Sequence, residues 1–320
     1  MKQKLHFSVK GCCVLAMLLL GSASSFSQYN GEKTSFWEAG ITLGPSNFLG
    51  DLGGNAGKGT SFLKDNNFSM TKLTVGLYAT YQPNEWLGVR LAANFGTLEG
   101  DDAVIKGKGG YEEARKLRNS NFRSKFQEGL VMLELYPTAL IEPDPTDVFG
   151  RLRPYGVIGV GVFHFNPQGT DPATGDWVNL APLHTEGQGF AEYPDRKPYK
   201  LTQLNIPMGV GVKYFISEAV NVSLEILHRK TFTDYIDDVS TTYVDPALFY
   251  QNMPLAQAQL AERMANKSGN GGSTRFSAGD KRGTATNNDA YYSVGIKLGF
   301  RLGANSNSRW NNSTRCPLRF

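Results

Sequence analysis

The strictest pattern in this sequence is an alternation of apolar residues with small or polar residues on both sides of a tight turn. In residues 72–96, KLTVGLYATYQPNEWLGVRLAANFG, every second residue is apolar before and after the dipeptide Pro83-Asn84. A period of two places successive side chains on opposite faces of a β-sheet, so this segment predicts a β-hairpin with one apolar face. Its other face is rich in glycine and carries Arg90 among small residues.

The same alternation recurs in six further segments, which brings the number of predicted strands to eight. These strands cover residues 36–43, 73–81, 87–95, 126–136, 154–165, 201–214, 220–229 and 291–302. Both faces of the fifth segment, PYGVIGVGVFHF, are apolar, so the alternation does not tell them apart. The pattern as a whole predicts an all-β protein.

Long and short connections alternate along these eight strands. The long connections are residues 44–71, 96–125, 166–200 and 230–290, and the connections between them are shorter, down to the dipeptide Ser217-Glu218. Outer-membrane barrels of the up-and-down type have short periplasmic turns and long extracellular loops. We therefore predict an eight-stranded antiparallel up-and-down outer-membrane β-barrel.

The composition of the two strand faces agrees with this fold. In lipid every backbone N–H and C=O group needs a partner, and among β-structures only a closed barrel supplies all of them. The apolar face would then contact lipid, and the small polar face would fill the lumen. Aromatic residues near the strand ends suit the interfacial girdles of such barrels. These residues are Tyr81, Trp86, Tyr136, Tyr214 and Tyr292.

The N-terminal segment has the pattern of a secretory signal peptide. A basic leader with three lysines precedes an apolar run from about Gly11 to Leu20, and small residues follow. This run is too short to span a bilayer as a helix. We expect a signal peptide at residues 1–27, the barrel at residues 28–303 and a basic periplasmic tail at residues 304–320.

Loss of the signal peptide changes the charge and the cysteine count. Residues 1–27 contain three lysines and no acid, so their removal lowers the formal net charge from +4 to +1. A nearly neutral chain offers no charge argument for binding nucleic acid. Two of the three cysteines, Cys12 and Cys13, also leave, and Cys316 alone cannot form an intramolecular disulfide.

Charged residues on the glycine-rich faces are expected to lie in the lumen. An eight-stranded barrel has an interior that side chains just fill, and an unpaired charge there would be very costly. We therefore expect the charges to pair across strands as a plug that closes the barrel, and the alternative is an ion pathway. The lumen candidates are Arg90, Glu134, Lys213, Glu225, Lys297 and Arg301.

The sequence contains no strong catalytic or metal-binding motif. His164, His184 and His228 lie on different segments without metal-ligand spacing. The acidic run around Asp237 and Asp238 has ligands of the kind that bind a hard cation, but acidic residues in exposed loops are usually just solvated. We therefore predict a protein that is not an enzyme and that has no catalytic residues, no metal and no cofactor.

Four segments carry a more specific resemblance. They are FLGDLGG (residues 48–54), NIPMGVG (205–211), RKTFTDYIDDVSTTYVDP (229–246) and GDKRGTATNNDAYY (279–292). Together they resemble the PorG-like family of outer-membrane barrels from Bacteroidota, from the first strand to the eighth. The resemblance implies a structural or anchoring role in the type IX secretion system. It implies outer-membrane lipid and a periplasmic ring of PorK/PorN-like proteins as partners, and no catalytic residues.

Two other functions remain open at this stage. A small barrel can carry a lipid-modifying enzyme, for which His184 with a nearby Ser or Asp of the loops would be the candidate. Such an enzyme needs a substrate cavity among the strands, which six lumen charges disfavour. The other alternative is surface adhesion through the long loops.

The C-terminal tail is a candidate contact with a partner. An even number of strands returns both chain ends to the periplasmic side, and the tail has no acidic residue. We expect Arg309, Arg315, Cys316 and Arg319 to dock on a periplasmic partner, with charge contacts from the arginines and a covalent bond from the lone cysteine. The alternative is a disordered end whose arginines meet phospholipid headgroups.

Overall fold

The computed structural model describes residues 35–52, 68–105, 112–140, 151–217, 219–269 and 276–302. The expected signal peptide at residues 1–27 therefore lies outside the described residues. The same holds for the tail residues Arg309, Arg315, Cys316 and Arg319.

Each of the eight predicted segments forms a strand. Several strands extend further into the long connections than the alternation indicated; the third, for example, continues to Asp101. The strands are β1 Phe36–Leu49, β2 Lys72–Gln82, β3 Leu87–Asp101, β4 Asn121–Leu135, β5 Leu152–Thr170, β6 Trp177–Asn179, β7 Thr202–Phe215, β8 Val220–Thr231 and β9 Ala290–Leu302. The strand β6 was not predicted, because three residues are too few to show an alternation.

The eight long strands close into a barrel through antiparallel pairing. Neighbours in the closed order are β1, β2, β3, β4, β5, β7, β8 and β9, and β9 pairs back with β1 from Trp37–Leu302 to Leu49–Ala290. The short strand β6 pairs with the end of β5, where Gln168 lies opposite Asn179. The prediction of a closed eight-stranded antiparallel barrel is confirmed. Closure leaves no open sheet edge in the barrel wall, which is what lipid requires.

The apolar face of the barrel wall points outward. Val210 on β7 and Leu77 on β2 are 63% and 61% exposed, whereas Arg90 on β3 is 2% exposed. The structure also resolves the ambiguous strand β5, because Val160 is exposed while Tyr155 and Phe163 are buried. Lipid-facing and lumen-facing residues thus alternate around the barrel.

The predicted aromatic girdle is correct for three of its five residues and wrong for two. Tyr81, Trp86 and Tyr214 are exposed, but Tyr136 and Tyr292 are buried. Tyr136 lies two residues after Glu134, so the two side chains lie on the same face of the barrel wall. The Tyr136 ring therefore points into the lumen, and its hydroxyl donates a hydrogen bond to the Glu134 carboxylate. Tyr292 lies at the end of the barrel that carries the long connections, where its hydroxyl accepts a hydrogen bond from Asn47 at 3.2 Å.

The described parts of the long connections contain three short α-helices and a second apolar core. These helices are α1 Glu112–Arg118, α2 Pro246–Asn252 and α3 Leu255–Ala265. The Asp245 side chain begins α2 by accepting a hydrogen bond from the N–H of Ala247 at 3.0 Å, as an N-cap residue does. The second core consists of Leu180, Leu183, Phe190, Val244, Phe249, Ala258, Ala261, Met264 and Ala265. We call the described residues of the long connections the cap.

An aromatic layer joins the cap to the barrel. Phe163 and Phe165 of β5 stack with ring centroids 5.4 Å apart, and Phe163 lies 5.7 Å from Tyr291 of β9. Ile236 and Val239 from the connection between β8 and β9 are fully buried against the same cluster. No helix in the described part of the chain is long and apolar enough to cross a membrane.

The exposed face of β7 provides a test of the lipid contact. Val210 lies near the middle of an outward row that runs from Leu204 to Tyr214. We expect Val210→Arg to lower the free energy of unfolding in lipid vesicles by about 2–4 kcal/mol, because a charge near the bilayer midplane loses its hydration. Val210→Leu is the matched control and should change little. Equal stability of the two variants in urea titrations would contradict a lipid-facing Val210.

Candidate functional site

Six charged side chains fill the half of the lumen that lies at the short-turn end of the barrel. Each comes from a different strand: Glu38 from β1, Arg90 from β3, Glu134 from β4, Lys213 from β7, Glu225 from β8 and Lys297 from β9. All six are buried, and Glu134 and Lys213 have no exposed surface. We call this set the lumen cluster.

Arg90 is the centre of the lumen cluster. Its Nη1 atom lies 2.7 Å from Oε2 of Glu225 and 3.0 Å from Oε1, and its guanidinium also pairs with Glu134. Glu225 and Glu134 therefore share one cation. A planar guanidinium with five donors suits this role, because it can bind two carboxylates at once.

The two lysines complete the lumen cluster. Nζ of Lys213 lies 3.0 Å from both carboxylate oxygens of Glu38 and 4.0 Å from Glu134. Nζ of Lys297 lies 3.4 Å from Glu225 and 3.8 Å from Glu134. Three cations thus face three carboxylates, so the cluster is balanced in charge. Balance is what the desolvation cost of buried ions demands.

Tyrosines from the two remaining barrel strands hold the carboxylates in place. Tyr78 of β2 donates a hydrogen bond to Glu38 at 3.0 Å, and Tyr155 of β5 donates one to Glu225 at 2.7 Å. Nζ of Lys297 lies 4.2 Å from the centre of the Tyr78 ring, a distance typical of a cation–π contact. All eight barrel strands therefore contribute to the cluster or to its support.

Glycines on the lumen face make room for these tyrosines. A β-carbon at Gly299 would lie 2.6 Å from the Tyr78 hydroxyl and 2.8 Å from Oε1 of Glu38. A β-carbon at Gly211 would lie 2.4 Å from the Tyr155 ring. At these two positions a larger residue would displace a tyrosine that supports the lumen cluster.

A second ion pair lies in the lumen nearer the cap. Nη2 of Arg229 lies 2.6 Å from Oε1 of Glu128. The same oxygen accepts a hydrogen bond from Asn94 at 2.8 Å, and Oε2 accepts one from Tyr291 at 2.7 Å. This pair is also balanced in charge, and all four side chains are buried. The two charged layers together close the lumen along much of its length.

A small cavity separates the two layers. Its volume is about 20 Å³, which is enough for one water molecule. It is bounded by Arg90 and Glu225 from one layer and by Asn94 and Arg229 from the other. Polar walls on both sides make an ordered water there chemically reasonable, and the volume is far below that of a substrate site.

Five of the six lumen candidates from the sequence lie in the lumen cluster. The sixth, Arg301, is half-buried at the short-turn end, where its guanidinium lies 3.6 Å from the ring centre of Phe36 and 5.4 Å from that of Phe215. Sequence reasoning missed Glu38, Glu128 and Arg229. Parity along each strand could have found them, since Glu128 lies six residues before Glu134 and Arg229 four after Glu225 on the same faces.

Buried ion pairs also hold the connections of the cap together. Arg118, which follows β3, binds Asp102 through two hydrogen bonds of 2.7 and 2.9 Å, and donates to the carbonyls of Asp51 and Arg282 at 2.7 Å each. These three carbonyl and carboxylate partners belong to three of the four long connections. One guanidinium therefore holds those connections together.

Glu186 joins the remaining long connection, between β5 and β7, to the connection between β8 and β9. Its carboxylate accepts hydrogen bonds from the backbone N–H groups of Ser240 and Thr241 at 2.9 Å each and from Arg282 Nη1 at 2.8 Å. Asp238 beside it accepts from Tyr199 at 2.6 Å, and burial raises the pKa of Asp238 to about 6 although Arg282 lowers it. The cap is thus a folded unit and not a set of separate loops.

The three histidines that follow the predicted signal peptide remain apart. His164 lies 3.0 Å from the hydroxyl of Thr202, and the ring of His184 lies 6.3 Å from that of Phe190. Burial lowers the pKa of His184, and its Nδ1 atom has no hydrogen-bond partner among the described residues. Within the same described ranges, no group of three or more histidine, cysteine or acidic side chains is arranged to hold a metal ion.

The closed wall, the apolar outer surface and the charge-filled interior define an integral β-barrel membrane protein. Residues 13–245 match the family model of the outer membrane protein beta-barrel domain. The chain belongs to this family, which places the protein in an outer membrane. No curated protein matches the chain in sequence.

Several solved outer-membrane proteins are similar to the chain. The attachment invasion locus protein Ail of Yersinia pestis, in complex with the heparin analogue sucrose octasulfate, is 8% identical, with a TM-score of 0.35 over 83% of this chain and 99% of that chain. Outer membrane protein W of E. coli is 16% identical, with a TM-score of 0.33 over 85% and 100%. Neisserial surface protein A is 7% identical, with a TM-score of 0.32 over 83% and 96%.

The lumen cluster predicts a large cost for removing one of its carboxylates. We expect Glu225→Ala to lower the free energy of unfolding by about 3–5 kcal/mol, because Arg90 and Lys297 would keep their buried charges without this partner. Glu85→Ala is the matched control. Its carboxylate pairs with Arg153 at 3.6 Å in a partly exposed site, so its loss should cost at most about 1 kcal/mol. A similar cost for both variants would argue against a tightly coupled cluster.

The two charged layers also predict a barrel that does not conduct. Purified protein in planar bilayers should give no stable single-channel currents, because the ion pairs leave only a cavity of about 20 Å³ between them. Large and steady currents from the unmodified protein would show that the lumen is an ion pathway.

Proposed function

We propose that this protein is a non-enzymatic barrel that anchors part of a protein secretion apparatus in the outer membrane. The PorG-like resemblance of the loop segments implies the type IX secretion system as that apparatus. The observation that supports an anchoring role is the balanced lumen cluster, in which Arg90, Lys213 and Lys297 face Glu38, Glu134 and Glu225. A lumen filled in this way leaves a barrel only its two ends for interaction.

The lumen cavity argues against an enzyme. Small-molecule sites occupy about 300–1,000 Å³, whereas the cavity between the charged layers has about 20 Å³. His184, the candidate for a lipid-modifying activity, contacts the Phe190 ring and lies in a connection rather than at that cavity. These observations favour a structural role over catalysis.

The short-turn end offers a surface for a periplasmic partner. In the proposed orientation the turns and both chain ends are periplasmic, and the cap is extracellular. Two apolar side chains at the turn end are exposed, Leu140 at 66% and Ile216 at 57%. Leu140 ends the short 3-10 helix Pro137–Leu140, which directly follows β4. Exposed apolar residues of this kind suit a contact with a ring of PorK/PorN-like proteins.

The C-terminal tail is the second element of this proposed contact. Arg309, Arg315 and Arg319 would supply charge contacts, and Cys316 would supply a covalent bond to the partner. The tail follows β9, which ends at Leu302 on the short-turn side. Tail and turn surface would therefore lie at the same end of the barrel.

Co-purification from native outer membranes tests the anchoring role. We expect the tagged full-length protein to bring periplasmic ring components with it after mild detergent extraction. Truncation after Gly303 should keep the barrel folded, as heat-modifiable migration on gels reports, and should reduce the amount of ring components recovered. A full-length protein that recovers no secretion component would contradict the proposal.

A matched pair of substitutions separates the two ends of the barrel. Leu140→Ser removes an exposed apolar side chain at the turn end, and Leu255→Ser removes one of nearly equal exposure, 65%, from α3 in the cap. We expect Leu140→Ser to weaken co-purification and Leu255→Ser to leave it unchanged. If Leu255→Ser weakens co-purification and Leu140→Ser does not, the contact lies in the cap, which would favour a role in surface adhesion.

A further inference from the structure

The cap contains four carboxyl groups that lack the charge balance of the lumen. Asp51 comes from the connection between β1 and β2, and Asp234, Asp237 and Asp289 come from the connection between β8 and β9. Asp237 and Asp289 are fully buried and Asp234 is 7% exposed. We call these four residues the acid cluster.

Close contacts place the acid cluster at the junction of the two connections. Asp237 accepts hydrogen bonds from the N–H groups of Leu52 and Val239 at 3.0 Å each. A β-carbon at Gly50 would lie 2.3 Å from Oδ1 of Asp289, so the first connection passes directly over that carboxyl group. The cluster therefore forms only when the two connections are packed together.

Three oxygens of the acid cluster have no hydrogen-bond partner among the described residues, namely Oδ1 of Asp289 and both carboxyl oxygens of Asp234. Oδ2 of Asp289 accepts a hydrogen bond from the N–H of Ile236 at 2.8 Å, whereas Oδ1 has no hydrogen-bond partner among the described residues. A buried carboxylate oxygen in this situation is costly, and protonation of the group removes most of that cost.

The cations near the acid cluster are too few to neutralise it. Arg118 and Lys281 face it, but Arg118 already forms a two-bond pair with Asp102. Glu186 also lies nearby, but Arg282 pairs with its carboxylate at 2.8 Å, so neither of these two residues neutralises the acid cluster. In the lumen cluster, three cations neutralise three buried carboxylates. The acid cluster has no such set of cations, so its negative charge must be neutralised in another way.

We propose that the acid cluster is a proton-dependent lock, in which these carboxyl groups hold protons while residues 50–52 pack against residues 234–239 and Asp289, and release them when this contact opens. The ligand is the proton itself, since the described residues present no group that is arranged for a metal ion. The lock would make closure of the cap depend on the pH of the medium that the cap faces.

The pKa directions agree with this lock. Burial raises the pKa of Asp234 to about 8, and burial and the neighbouring carboxylates raise the pKa values of Asp237 and Asp289. A carboxyl group whose pKa is higher in the closed cap than in the open cap binds its proton more tightly in the closed cap. Closure is therefore favoured at low pH and lost as the pH rises toward about 8.

Hydrogen exchange of the full-length barrel in detergent, measured by mass spectrometry, tests the lock. Exchange is corrected for the pH dependence of the intrinsic rate, and peptides from β4 serve as the internal reference. Between about pH 6 and about pH 8, we expect the opening constant of residues 233–241 to rise about tenfold per pH unit for each proton released. A flat profile for the unmodified protein over this range would overturn the proposal.

Three variants identify the groups responsible. Asp234→Asn and Asp289→Asn imitate the protonated side chains, so each should reduce the pH dependence and keep the cap closed at pH 8. Asp195→Asn removes an exposed acid of the cap and should leave the profile unchanged. Heat-modifiable migration verifies that each variant barrel is folded. An unchanged pH profile in folded Asp234→Asn and Asp289→Asn would contradict the assignment to these residues.

A calcium titration distinguishes a proton from a cation. If the lock is as proposed, adding calcium chloride or a chelator leaves the exchange profile unchanged at both ends of the pH range. If calcium protects the cap at pH 8 and the chelator exposes it at pH 6, the acid cluster is a cation site and the proton lock is wrong.

Discussion

The structure depends on one interaction more than on any other, the pairing of Arg90 with both Glu134 and Glu225. Eight strands enclose a space that side chains fill, so an ion in it cannot keep its hydration shell. A charge can remain there only if its partners are built into the opposite wall. Arg90 meets that condition from β3, and the lysines of β7 and β9 meet it with the same carboxylates or with Glu38.

Much of this architecture could be predicted from the sequence, because a barrel wall reports its two faces through strict alternation. Parity along the strands alone places Arg90, Lys213 and Lys297 in the lumen. Alternation does not distinguish the faces where both are apolar, as in β5. An aromatic residue at a strand end, such as Tyr136, fits a girdle by its type but the lumen by its parity. Strand ends near the cap were also uncertain, because the cap covers residues such as Tyr292 that alternation assigns to lipid.

The partners of the charges were harder to predict than the charges themselves. Strand parity gives the side of the wall but not the height at which two side chains meet across the lumen, which depends on strand tilt and stagger. The contacts within the cap were the hardest to predict. Its ion pairs join residues of separate irregular connections, such as Glu186 with Arg282, and no period in the sequence relates such positions.

The separations of the paired lumen residues along the chain have a consequence for assembly. Arg90 and Glu225 are 135 residues apart, and Lys213 and Glu38 are 175 apart. Neither pair can form until strands from both halves of the chain stand in one wall. A partly assembled sheet would carry these ions without their partners on its lumen face. Closure should therefore be slow and cooperative, with the final joining of β9 to β1 and the neutralisation of the interior as a single event.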